Sequence, residues 1–145
     1  MAELKARLKH SEADAALVVT AFRGNPGRIR VYYPDRDGVV VQMSGSVLRR
    51  EVLPDSAVRV NRIVRLSVSS NPSELTRNMA DLLSRLMQID WIEESAVHPV
   101  GPDHRNDAIL RLQDAGSGMT VWTYYHALDA AEIGPRITVS ALRGS

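Results

Sequence analysis

Cysteine is missing from the 145-residue chain. That excludes a disulfide framework, a thiolate nucleophile and any sulfur-ligated metal, and it fits a reducing compartment. Lysine is nearly missing too. Of eighteen Lys and Arg residues only Lys5 and Lys9 are lysine, so the positive charge is carried almost wholly by guanidinium groups. Their planar forks suit carboxylate and phosphate, although a GC-rich genome produces the same bias without any function. Aromatic residues make up 5%. No apolar run approaches the roughly 20 residues needed to cross a bilayer. Residues 1–10 are charged throughout and no apolar stretch follows, so no secretion signal is expected, and the expected place is the cytoplasm or an assembled particle.

Catalytic signatures are equally scarce. No G-x-S-x-G occurs, so no nucleophile elbow is expected. The Gly24-Asn25-Pro26-Gly27 turn lacks the G-K-[ST] ending of a phosphate loop, and no G-x-G-x-x-G leads from a strand into a helix. Asp35-Arg36-Asp37-Gly38 lacks the later ligands of a calcium loop. Tyr124, Tyr125 and His126 with Asp129 offer material for a general base, but strand alternation turns Tyr125 away from the other two, leaving an aromatic patch. No catalytic residue is assigned, no cofactor is expected, and the chain reads as a non-enzyme.

One stretch organises what is present. Residues 72–88 place Leu75, Met79, Leu82, Leu83, Leu86 and Met87 at steps of three and four, the single apolar face of an amphipathic helix. Asn71 is the expected N-cap, Pro72 the first helical residue and Glu74 the acidic partner of the cap. Arg77, Asp81 and Arg85, four apart on the opposite face, are spaced for weak surface ion pairs. An ordinary core face explains the apolar stripe better than a methionine-bearing partner groove.

Strand signals flank this helix. Residues 16–23 and 28–33 form an expected hairpin, the second strand alternating Ile29, Val31 and Tyr33 against Arg28, Arg30 and Tyr32. Further strands are expected over 39–43, 47–53 and 57–69, then after the helix over 91–97, 108–113, 119–126 and 136–142. The terminal Arg143-Gly144-Ser145 is left out of the fold reading. Residues 1–15 carry too thin an apolar stripe to hold a helix alone and read as an N-terminal arm, mobile or docked on a neighbour. The expectation is one domain over 1–145, α+β and β-dominated: an antiparallel meander or partly open barrel of about nine short strands with one long helix.

Charge divides unevenly along the chain. Residues 1–70 carry a net +5 and residues 71–145 a net −4. Opposite charge on two halves suits head-to-tail packing of copies. The leading expectation is therefore a structural or assembly subunit acting through protein–protein contacts. It would be a homo-oligomer or part of a larger complex, with ring, tube, virion or secretion-tube subunits as fold-level analogies. A second reading is a single-strand nucleic-acid-binding module, with Arg28, Arg30, Arg49, Arg59 and Arg65 neutralising phosphates and Tyr32 stacking a base. A third is a metal-dependent hydrolase in the 98–107 loop, where His98, Asp103, His104 and Asp107 supply divalent-metal ligands. Two prolines and a glycine there favour a plain solvated loop, and no metal is assigned.

Overall fold

In the computed structural model the described residues are 15–22, 25–47 and 60–144, together with Leu4 and Arg7, both helical. They form eight strands and one long helix: β1 (Ala16–Phe22), β2 (Asn25–Tyr32), β3 (Val39–Val47), β4 (Arg62–Ser69), α1 (Glu74–Met87), β5 (Trp91–Glu94), β6 (Asp107–Asp114), β7 (Thr120–His126) and β8 (Arg136–Gly144). All eight strands belong to a single sheet in the order β1-β2-β3-β8-β7-β6-β4-β5. The class is α+β and β-dominated, as expected. The sheet is mixed rather than antiparallel throughout, because β4 runs parallel to both β5 and β6. It is also open: β1 and β5 form separate edges, so the sheet does not close into a barrel.

The parallel pairs follow from connectivity. A strand that leaves into a helix and returns over the same sheet re-enters in the original direction, and β4–α1–β5 is such a unit. Of the expected strand over 47–53 only Val47 is described, as the last residue of β3; residues 48–53 and the start of the expected strand over 57–69 lie outside the described residues. Arg143 and Gly144, left out of the sequence reading, belong to β8 and pair with Val40 and Val39 of β3.

Helix α1 covers one face of the sheet. Its Met79, Ala80, Leu82 and Leu83 pack with Leu66 and Val68 of β4, Leu110 and Leu112 of β6, Val139 of β8 and the inward residues of β2 and β3. The 3.6-residue stripe thus meets the alternate positions of the strands, and both periodicities serve one core. The helix starts two residues later than expected. Ser73 is the N-cap, its hydroxyl accepting from Thr76 N–H at 3.3 Å. Asn71 instead takes a left-handed turn, φ 51°, a conformation its short polar side chain tolerates.

The choice of Ser73 is tertiary. Asp114, at the end of β6, accepts from Ser73 N–H with both carboxylate oxygens at 3.0 Å and from the Thr76 hydroxyl at 2.6 Å. Thr76, fully buried, also bonds Thr120 of β7 at 2.7 Å. A carboxylate from the sheet therefore sits at the positive end of the helix, where charge and orphan N–H groups both favour it. Asp81 does not join a ladder with Arg77 and Arg85: its carboxylate accepts from Trp91 Nε1 at 2.9 Å.

The other face of the sheet, with only one long helix among the described residues, has no such helix to cover it. Its centre is closed all the same. Ser67, Ile109, Arg111 and Thr123 point away from α1 and are all buried. Segments 95–106 and 127–135 lie against this side, where Arg65 donates to the His98 carbonyl at 3.3 Å and Thr123 to the Glu132 carboxylate at 2.8 Å.

Candidate nucleic-acid interface

The face away from α1 divides into a closed polar patch and an open basic one. In the closed patch the Arg111 guanidinium is 4% exposed. Its Nη1 donates to Ser67 Oγ at 2.7 Å and to the Glu94 carbonyl at 3.0 Å. Ser67 in turn donates to the Glu94 carboxylate at 2.7 Å. Burial pushes the Arg111 pKa down, against the influence of Tyr125 and Glu94, and its buried Nε has no hydrogen-bond partner. Beside it, Thr123 donates to Glu132 at 2.8 Å, and Arg136 grips Glu132 with two bonds of 3.0 and 2.7 Å. That grip holds the Glu132 carboxyl below its ordinary range and raises Arg136. These charges answer one another, so the patch offers little to a ligand.

The open patch lies on β1, β2, β3 and β8. None of the four strands contains an aspartate or glutamate. Register fixes which side chains share the surface. Val18, Arg30, Val40 and Arg143 form one row across the four strands, since Val18 pairs with Arg30, Arg30 with Val40 and Val40 with Arg143. Thr20, Arg28, Gln42 and Ala141 form the next. Arg28 and Arg143 are exposed and Arg30 is half-buried. Gln42 accepts from Arg28 Nε at 3.2 Å and donates to the Gly27 carbonyl at 3.2 Å, which holds the Arg28 guanidinium against the sheet. No ion pair involves Arg28, Arg30 or Arg143 among the described residues.

The expected nucleic-acid set is only partly brought together. Arg28 and Arg30 share the surface, and Arg143 joins them though the sequence reading omitted it. Tyr32 occupies the same side but is 7% exposed, so it offers no open stacking platform. Arg65 lies on β4, five strand steps away, or about 24 Å at the usual inter-strand spacing. It donates to the His98 carbonyl at 3.3 Å and sits 4.0 Å from Glu94. Arg49 and Arg59 lie outside the described residues.

The 98–107 loop is turned to structural use. Asp107, on the first residue of β6, accepts two bonds from Arg62, at 3.1 and 3.4 Å. His104 Nδ1 lies 2.7 Å from Oδ2, the oxygen that also accepts from Arg62 Nη2. Arg62 first and His104 second hold the Asp107 carboxyl below its usual range. His98 and Asp103 are exposed and outside this group. Among the described residues no group of three or more histidine, aspartate or glutamate side chains is placed to hold a metal ion. No helix among them is long and apolar enough to cross a membrane.

Comparison with known proteins yields fold relatives. No protein-family model matches the sequence, and no curated protein matches it. Among solved structures the chain is similar to a probable ribosomal biogenesis protein from Aeropyrum pernix K1, with TM-score 0.60 and 20% identity over 95% of this chain and 73% of that one. It is also similar to Mil, an archaeal Imp4-like protein, with TM-score 0.56 and 14% identity over 98% of this chain and 76% of that one. At these identities the likeness is one of fold.

Proposed function

We propose that this chain is a non-enzymatic binding subunit that takes part in assembling ribonucleoprotein particles and contacts RNA through Arg28, Arg30 and Arg143. The observation that carries the proposal is the register. Three guanidinium groups share one face of a four-strand half-sheet without a carboxylate. Phosphates approaching that face meet attraction and no like charge. A structural neighbour described as a ribosomal biogenesis protein supports the setting. The buried Tyr32 argues for backbone contact rather than base stacking, and so for weak sequence preference. Asp107 and Glu132, the strongly held carboxylates, are each engaged by arginine, which leaves them without a catalytic task.

The test is fluorescence anisotropy with labelled single-stranded RNA across a salt series. Three phosphate contacts predict a log–log salt slope of about −2, and Arg143→Glu should lower affinity and flatten that slope by about 0.7. Absence of binding at low salt, or an Arg143→Glu curve that overlays the wild type, would end the RNA reading.

A further inference from the structure

We propose that the outer edge of β1 takes up an extended segment of a partner protein as a ninth strand, a segment in which apolar and acidic residues alternate. This role does not depend on RNA contact: it shares Arg28 and Arg30 with the proposed RNA surface but rests on the edge of β1, which that surface does not need.

Strand β1 ends the sheet and pairs only with β2. Its outer backbone groups therefore have no strand partner among the described residues. Edges of this kind are usually blunted by charge, proline, a bulge or shortness. Strand β1 has seven residues with neither a charge nor a proline. Its one irregularity lies between Thr20 and Ala21, so 16–20 pair with β2 in unbroken register. The backbone is a ready template for strand addition, in which main-chain hydrogen bonds supply affinity and alternate side chains supply selectivity.

The two faces of the edge differ, and together they define the segment. On the α1 side Leu17 and Val19 are 58% and 59% exposed. They lie directly beside Val31 and Ile29, which are buried in the core. The apolar face thus runs past the cover of the helix by one strand. An incoming strand with apolar residues on this side would extend the core over that pair. On the other side Ala16, Val18 and Thr20 are short, and the next strand carries Arg30 beside Val18 and Arg28 beside Thr20. Acidic side chains on an added strand would meet these guanidinium groups across small neighbours, within the reach of diagonal contacts between long side chains. No carboxylate in β1, β2, β3 or β8 would oppose them, and a lysine-bearing segment would be repelled. A second copy fits less well. Its uncharged β1 would cover Leu17 and Val19 but bring a second set of Arg28 and Arg30 to the same border.

The experiment titrates the full chain into a fluorescein-labelled synthetic peptide alternating valine with glutamate, and into a matched peptide alternating valine with lysine. The glutamate peptide is expected to bind about tenfold more tightly or better, with salt-sensitive affinity. Val19→Lys and, separately, Leu17→Lys should weaken binding of the glutamate peptide, because the apolar contact is lost, while the circular dichroism spectrum and RNA binding are retained. Arg30→Glu should weaken the glutamate peptide, and Arg143→Glu, two strands further in, should lower RNA affinity while the peptide still binds. No binding of the glutamate peptide, equal binding of the two peptides, or indifference to both lysine variants would overturn the proposal. So would sedimentation showing that the free chain is a dimer dissolved by Val19→Lys, since the edge would then belong to a second copy. Peptide binding with no RNA binding would leave this proposal standing and remove only the RNA contact.

Discussion

Replacing Asp114 with alanine tests whether the sheet really fixes the start of the helix. The substitution removes the acceptor of Ser73 N–H and one partner of the Thr76 hydroxyl. Thr76 keeps Thr120 and Ser73 as partners, and water can reach the freed N–H because position 114 is exposed. The loss is therefore nearer to that of a helix cap and one net hydrogen bond than to that of a buried orphan, about 1.5 kcal/mol. For a chain of this size that corresponds to a fall in Tm of about 4 °C. Urea unfolding followed by the fluorescence of Trp91 and Trp122 measures it. The pH dependence is a second, independent reading. Burial is the largest single influence on the Asp114 carboxyl and pushes its pKa up. The Thr76 hydroxyl and the Ser73 N–H and hydroxyl together outweigh it, so the folded value lies below the ordinary one. A depressed carboxylate contributes its full stabilisation above the unfolded value, near about 3.9, and loses it as pH falls through the folded value. The gap between wild type and Asp114→Ala should hold steady from neutral pH to about pH 5 and close below about pH 4. A cost under about 0.5 kcal/mol, or a gap that widens in acid, would refute this account of the helix start.

Two further outcomes follow from burial and pairing. Glu94→Gln removes the nearby counter-charge of the buried Arg111 and weakens the Ser67 bond, and it should cost about 1–3 kcal/mol in urea unfolding. The double variant Glu94→Gln with Arg111→Met should be no worse than the single one, because the stranded charge is gone. Leu82→Ala opens a cavity between α1 and the sheet at a position 1% exposed, with an expected loss of about 2–5 kcal/mol by chemical denaturation. A loss below about 1 kcal/mol would mean that α1 is not the lid of the core.

Periodicity made the helix and most strands legible. The stripe from Leu75 to Met87 gave α1 its buried face, and the alternation of Ile29 and Val31 against Arg28 and Arg30 gave β2 its two sides. What stayed hidden depends on partners distant in sequence. The cap fell on Ser73 because Asp114, about forty residues later, holds its N–H. The parallel pairing of β4 was open to reading from the strand–helix–strand order and was missed, since every strand was placed in a meander. Arg111 looks like any outward residue of an alternating strand; its burial and its bonds to Ser67 and Glu94 depend on β4 and β5 lying beside β6. Arg143 escaped because the terminal Arg143-Gly144-Ser145 was set aside, and because its place in the same row as Arg30, two strands away, is set by β8 lying next to β3, strands nearly a hundred residues apart. For the same reason Arg65 looked equivalent to Arg28 and Arg30, although the sheet order sets it in the opposite half.

The position of β8 carries a consequence for how the sheet is made. Among the described residues the strand ladders of the two halves, β1-β2-β3 and β7-β6-β4-β5, are joined only through it. Strands are released from synthesis in sequence order, so until β8 emerges β3 and β7 each lack their neighbour on that side. The piece that locks them together is the last of the eight to emerge, and Arg143 arrives with it. The row that holds Arg30 and Arg143 is therefore complete only when β8 has joined the sheet.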